Sequence, residues 1–272
     1  MRVALGLEYR GTAYCGWQSQ LSACGVQDFV EKAIAVFLGT SVRVICAGRT
    51  DTGVHARAQV AHLDTDIDRT EQSWVRGLNT NLPSDIRVLW AKKFADLLGQ
   101  RDEECFHARF SASARAYQYL LLNDPVAPGI DAANVGWFHA PLDAVSMQTA
   151  AAYLLGEHDF SAFRAAECQA KTPIKVMHAA AVRRLGAIII FDFRASAFLH
   201  HMVRNIVGSL VYVGAGKQDA TWFAHVLASK DRARCAPTFS PNGLYLTSVE
   251  YDEIWQLPKF PARSVAEVQL WN

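Results

Sequence analysis

No apolar run in this 272-residue chain reaches the roughly 18 residues that a membrane helix needs. The longest, at Ala187–Ile190 and Ile206–Val213, fall far short, so no membrane-spanning role is expected. The segment from Met1 to Tyr9 lacks the basic, apolar and small-residue order of a signal peptide, and a cytoplasmic protein is expected. The six cysteines, Cys15, Cys24, Cys46, Cys105, Cys168 and Cys235, form no C-x-x-C pair. Their scattered spacing argues against a zinc ribbon and against a disulfide scaffold; reduced, mostly buried thiols are expected. Neither H-x-x-x-H nor H-E-x-x-H occurs, so the usual helical metal-ligand spacing is missing. Low-complexity segments are missing too. Charge is sparse at 19% against 51% hydrophobic residues, a balance that suits packed cores and not a disordered chain. The length suits one large domain or two modest ones.

Acids are nearly absent from one stretch. Between Phe160 and Gln218 only Glu167 and Asp192 stand against Arg164, Lys171, Lys175, Arg183, Arg184, Arg194, Arg204 and Lys217. The whole chain carries a net charge of only +1, so the basic residues are segregated. They include more Arg than Lys, 19 against 8 overall, a bias that phosphate contacts or a GC-rich genome would each produce. Genome composition does not explain the segregation. Lys171, Lys175, Arg183 and Arg184 are the expected exposed members.

Hydrophobic periodicity orders the rest. Val3, Leu5 and Leu7 alternate as a strand. Val26, Phe29, Val30, Ala33, Ile34 and Phe37 recur at helical spacing, and Gly39 ends the run. A strand at Val42–Ala47, another at Ala58–Leu63, a helix at Glu71–Leu78 and a strand at Ile86–Lys92 complete a β-α-β-β-α-β order. The polar stretch Ala95–Glu104 reads as a linker. The second half repeats the order: strand Ala116–Leu122, helix Asp143–Leu155, strands Lys175–Arg183 and Ala187–Arg194, helix His200–Val213 and strand Leu244–Tyr251, with a further helix at Ala220–Ala228. The expected fold class is α+β: two ferredoxin-like halves with antiparallel sheets around a central cleft. The expected domains are residues 1–95 and 106–272, joined by a linker at 96–105.

Four segments hold candidate chemistry. Gly48-Arg49-Thr50-Asp51-Thr52-Gly53-Val54-His55 places a carboxylate in a glycine-flanked loop between two strands. Such a loop is a turn or a site where a ligand meets a pinned anion. His55 is either an acid–base group or a packed residue. Phe106-His107-Ala108-Arg109-Phe110-Ser111-Ala112-Ser113-Ala114-Arg115-Ala116-Tyr117-Gln118-Tyr119 contains no acid. It interleaves bases and aromatics as an RNA surface does, although Tyr117 and Tyr119 also fit plain strand packing. In the third segment Phe198, Met202, Ile206 and Leu210 form an apolar stripe, beside which Arg204 needs an anionic partner. Asp51 is the partner of choice. Last, Gly243-Leu244-Tyr245-Leu246 reads as a strand entering the core.

Together these segments resemble the tRNA pseudouridine(38–40) synthase family. Glu8-Tyr9, Gly16-Trp17-Gln18 and Asn81-Leu82-Pro83-Asp85 match it as well, so the resemblance spans nearly the whole chain. It implies an isomerase acting on uridines 38, 39 and 40 in the anticodon stem-loop of tRNA. Asp51 is then the nucleophile and Arg204 its partner. Tyr117 packs on the target uracil, Leu244 lines the base pocket, and Arg49 and Arg109 bind the substrate. A homodimer is implied, with no metal and no cofactor. Position 52 departs from the family, having Thr where Ala is usual, and the linker is longer than usual. Two other readings stand beside this one. One is a non-catalytic tRNA-binding protein; the other is a metal-dependent hydrolase built on His55, His200 and His201.

Overall fold

The computed structural model describes residues 1–94 and 105–258. These form two compact units: Met1–Ser113 with residues 246–258, and Ala114–Tyr245. The fold class is α+β, with strands paired mostly antiparallel.

In the first unit β1 (Arg2–Tyr9) is followed by α1 (Val26–Leu38), β2 (Ile45–Cys46), β3 (His55–Asp64), α2 (Glu71–Asn81) and β4 (Ile86–Phe94). This is the expected β-α-β-β-α-β order. β1 runs between β4 and β3, antiparallel to both, and β2 pairs with β3. The helix ends carry local signals. The Asp28 carboxylate accepts from the Gly25 N–H at 2.9 Å, Thr70 Oγ1 accepts from the Ser73 N–H at 3.1 Å, and Gly39 closes α1 in the left-handed region. β2 is much shorter than the expected strand. Val44 turns instead to α1, where its N–H donates to Glu31 Oε1 at 2.9 Å and its carbonyl accepts from Gln27 Nε2 at 3.3 Å. Both faces of this sheet are covered. Val3, Leu5 and Leu7 share one face by the pleat, and on the other Ala4 joins Ala47, Val60, Phe106 and Ala108 in a buried cluster.

In the second unit the order is β5 (Ala112–Asn123, from Ala114), β6 (Gly136–Phe138), α3 (Ala144–Ala151), β7 (Gly156–Asp159), β8 (Ile174–Leu185), β9 (Ile188–Ala195), α4 (Met202–Gly214) and α5 (Ala220–Ser229). The chain then enters β10 (Leu244–Tyr251), whose residues from Leu246 on belong to the first unit. The strands pair β5-β9-β8-β7, and β6 adds in parallel to β5. α3 gives way to a 3-10 turn at Ala152–Leu154, before the expected end at Leu155. α4 starts at Met202 and not His200, because His201 sits at φ +60°.

The units divide at Ser113/Ala114, beyond the expected boundary at residue 95, and the first unit reclaims residues 246–258. Buried tethers give the reason. Arg2 Nη1 donates to the Phe106 carbonyl at 2.8 Å, the Phe106 ring stacks on Phe94 at 4.9 Å, and the Tyr251 hydroxyl donates to the Ala108 carbonyl at 2.6 Å. The expected linker lies outside the described residues except for Cys105, which is buried.

Candidate active site

The loop between β2 and β3 is held on both sides of Asp51. Upstream, the Ala47 N–H donates to the Val60 carbonyl at 2.7 Å, and buried Gln59 donates through Nε2 to the Gly48 carbonyl at 2.6 Å. Thr50 is buried, with Oγ1 2.8 Å from the Tyr9 hydroxyl, and its carbonyl accepts from the Trp17 N–H at 3.0 Å. Downstream, the Val54 N–H closes a turn onto the Asp51 carbonyl at 3.1 Å, and Gly53 takes φ +80° there. Gly16, at φ +85°, lets the neighbouring segment lie against this backbone; a Cβ there would meet the Thr50 oxygen at 2.6 Å. The outcome is a half-buried carboxylate on an immobilised backbone, with Arg49 and Thr52 exposed beside it. The departure at position 52 therefore points to solvent.

Near this loop one expectation needs correction and one open alternative is decided. Cys15 and Cys24 are joined in a disulfide, with Cα atoms 5.4 Å apart, so they are not free thiols. The Cys15 N–H donates to the Cys24 carbonyl at 3.0 Å, which brings the two side chains together and closes the segment that supplies Gly16 and Trp17. Of the other four, Cys46 and Cys105 are buried, and Cys168 and Cys235 are partly so. Burial pushes the Cys46 thiol up to about 12. His55 is a packed residue. It is 2% exposed, and its Nδ1 accepts from the Gly11 N–H at 3.1 Å.

Tyr117, Arg204 and Leu244 belong to the second unit. Tyr117 on β5 is 9% exposed and meets Phe198 edge to face at 5.0 Å. Tyr119, on the same face of the strand, is wholly buried and donates its hydroxyl to the Ser240 carbonyl at 2.9 Å. Leu244, the first residue of β10, is buried. Arg204 on α4 donates through Nε to the Phe239 carbonyl at 2.9 Å, and the Phe239 N–H returns a bond to the Arg204 carbonyl at 3.2 Å. Asn205, fully buried beside it, donates to the Phe163 carbonyl at 2.8 Å and accepts from Thr238 Oγ1 at 2.7 Å and Arg232 Nη2 at 3.2 Å. It locks three segments around the Arg204 backbone. Sequence reasoning assigned no role to Asn205, Gln59, Thr50 or Tyr9. Gln59 left one signal, as a polar residue at a core register of β3, opposite Leu7.

The basic stretch is only partly available to a ligand. Lys171, Arg183 and Arg184 are exposed and Lys175 is half-buried. Arg184 Nη2 donates to Asn123 Oδ1 at 2.8 Å and to the Leu142 carbonyl at 2.7 Å, while Arg183 lies 3.6 Å from Asp192. Arg184 is thus a brace as well as a surface charge.

The profile of a family described as tRNA pseudouridine synthase matches residues 7–117 and 150–252. The chain belongs to this family. Proteins named tRNA pseudouridine synthase A match it along nearly their whole length. That of Methylobacillus flagellatus is 57% identical over 258 residues, 95% of this chain and 96% of that protein. That of Thiobacillus denitrificans is 53% identical, covering 97% and 98%. That of Paraburkholderia xenovorans is 52% identical, covering 100% and 97%. As a tRNA pseudouridine synthase the protein is an isomerase that converts uridine in tRNA to pseudouridine.

In this synthase the turn at residues 107–111 packs into the same unit as the Asp51 loop. His62, 1% exposed, accepts from the Ala108 N–H through Nδ1 at 3.1 Å, and its ring centroid lies 4.7 Å from that of His107. Burial first, then the Arg2 guanidinium, lowers the His62 imidazole to about 4. His107 is lowered by the same two causes. A base whose folded value is depressed opposes folding as it charges, so stability falls as pH drops from about 6.5 towards 4. For His62 alone the loss is on the order of 3 kcal/mol by pH 4. Urea denaturation at pH 7.5, 5.5 and 4.5 measures it. The expected result is a steep loss in the synthase and a flatter profile in His62→Leu, which starts from a lower stability. Parallel profiles in the two proteins overturn the assignment.

Proposed function

We propose that the protein isomerises uridines 38, 39 and 40 in the anticodon stem-loop of tRNA, with Asp51 as the nucleophile. The observation that carries this reading is the immobilised Asp51 loop inside the matched segment 7–117. In the reaction the N1–C1′ bond of uridine breaks, the uracil turns, and a C5–C1′ bond forms. C5 then loses its proton and N1 carries one, so nothing is added or oxidised and no cofactor is required. Asp51 acts as a carboxylate, with Arg204 as its partner. The target base must leave its stack. Tyr117 packs on the uracil and Leu244 lines its pocket, where exclusion of water protects the detached intermediate from hydrolysis. Arg49 and Arg109 hold the RNA. The protein works in the cytoplasm as a homodimer.

The test is to incubate unmodified tRNA with metal-stripped protein in excess EDTA, keeping the RNA folded with monovalent salt, and to map pseudouridine chemically. Modification at positions 38–40 is expected. Modification elsewhere refutes the position assignment. Binding without modification supports a tRNA-binding protein, and activity restored only by zinc supports a histidine-held metal.

Tyr117 offers a sharper test. Tyr117→Ala is expected to weaken use of tRNA by about 1–3 kcal/mol, the value of one stacked base, while Tyr117→Phe loses much less. Steady-state kcat/KM on tRNA transcripts compares them. Equal losses transfer the role from the ring to the hydroxyl, as a base for the C5 proton.

A further inference from the structure

Phe110 is the most exposed Phe, Tyr or Trp among the described residues, at 75%. Most large exposed apolar side chains here are single aliphatics, such as Leu21 and Ile130. Phe110 differs in being built into a rigid turn. The His107 imidazole stacks on its ring, centroids 4.3 Å apart and planes 29° apart. His107 Nδ1 accepts from the Arg109 and Phe110 N–H groups at 3.1 and 3.2 Å, which fixes the backbone under the ring. The His107 N–H donates to Ser111 Oγ at 2.9 Å, and the Ser111 N–H donates to the His107 carbonyl at 2.9 Å. Ala108, with no exposed surface, is tied through its N–H to His62 and through its carbonyl to Tyr251. The turn is therefore anchored from both sides while the phenyl ring stays in solvent.

Its surroundings select the partner. The Arg109 guanidinium lies 5.6 Å from the Phe110 centroid. Arg49 is part of the Asp51 loop, and Arg109 follows Ala108 in the turn. Ala108 and Ala47, at the base of that loop, share one buried cluster. A flat, preorganised ring beside the Arg109 cation suits a nucleobase with its phosphate better than an aliphatic protein surface.

We propose that Phe110 is a stacking platform for an unpaired tRNA base next to the extruded uridine. Extruding a nucleotide leaves its neighbour with one bare face, and an aromatic side chain replaces the lost stack. The inference rests on the tRNA-binding reading above, but not on which uridines are modified.

The test compares Phe110→Ala, Phe110→Leu and Phe110→Trp by filter binding to one tRNA transcript across a salt series, with melting temperatures as a control for folding. Loss of one stacked base is expected to weaken binding about 5- to 150-fold in Phe110→Ala. Phe110→Leu should be weakened nearly as much, because apolar area without a π-face does not substitute. Phe110→Trp should bind at least as tightly as the natural protein. The log–log salt slope should not change, since no phosphate contact is lost. Unchanged binding in Phe110→Ala overturns the proposal. So does natural affinity in Phe110→Leu, which marks a generic apolar contact such as a protein partner would make. Chemical mapping on the same transcript separates the readings: loss of modification at 38–40 with the Phe110 pattern intact refutes only the position assignment.

Discussion

Asp51→Asn should abolish pseudouridine formation and leave tRNA binding nearly unchanged. Asn keeps the size of the side chain but not the negative charge that the proposed reaction uses. The loop itself should survive, because its contacts run through other atoms. Thr50 Oγ1 meets the Tyr9 hydroxyl, the Gly48 carbonyl takes Gln59, and the Asp51 carbonyl takes the Val54 N–H. Loss of a nucleophile typically costs several orders of magnitude in rate, about 6–8 kcal/mol in barrier. Single-turnover assays at saturating tRNA, with pseudouridine mapped chemically, provide the measurement. Residual activity above a small fraction of the natural rate removes Asp51 from the nucleophile's role.

Arg204→Ala should show the second-largest effect and a different pattern. If Arg204 partners the Asp51 carboxylate as proposed, it supports turnover more than tRNA affinity, and its loss should leave the log–log salt slope of binding almost unchanged. A true phosphate contact behaves in the opposite way, weakening binding to any tRNA and flattening the slope by about one unit or slightly less. Lys171→Ala is the fitting comparison, because Lys171 is exposed. Arg184→Ala would confuse the matter by also cutting the bonds to Asn123 and Leu142. Arg204 likewise holds the Phe239 carbonyl, so Arg204→Lys is a useful second variant. Lysine keeps the charge and discards the planar fork. If Arg204→Ala flattens the slope while turnover at saturating tRNA stays normal, Arg204 is a phosphate ligand and its pairing with Asp51 is wrong.

Much of the architecture is legible in short stretches of chain. β1, α1, α2 and β10 follow from apolar spacing of period 2 or 3.6, and Gly39 marks the end of α1 by its freedom in the left-handed region. The order β-α-β-β-α-β follows once those elements are placed. The Asp51 loop stands out because an acid, a base and two glycines share six residues between strands. β6 and β7 were not legible. They are three and four residues long, too short for a periodic signal.

Asp51, Tyr117 and Arg204 as candidates, and the membership of the family, follow from the amino-acid sequence by itself, since motif residues and their order are properties of the chain. The tertiary structure decided what each neighbour does. It made His55 a packed acceptor for the Gly11 N–H, made Arg184 a brace, joined Cys15 to Cys24, and put Gln59 and Asn205 to work as buried hubs. It also moved the unit boundary past Phe106 and drew residues after Tyr245 back into the first unit. The physical reason is the range of the interactions. Periodicity and turn chemistry act within a few residues, whereas Arg2 meets Phe106, Tyr9 meets Thr50 and Tyr251 meets Ala108 across 104, 41 and 143 positions. A buried donor or acceptor must find a partner, and only the packed fold determines which one is within reach.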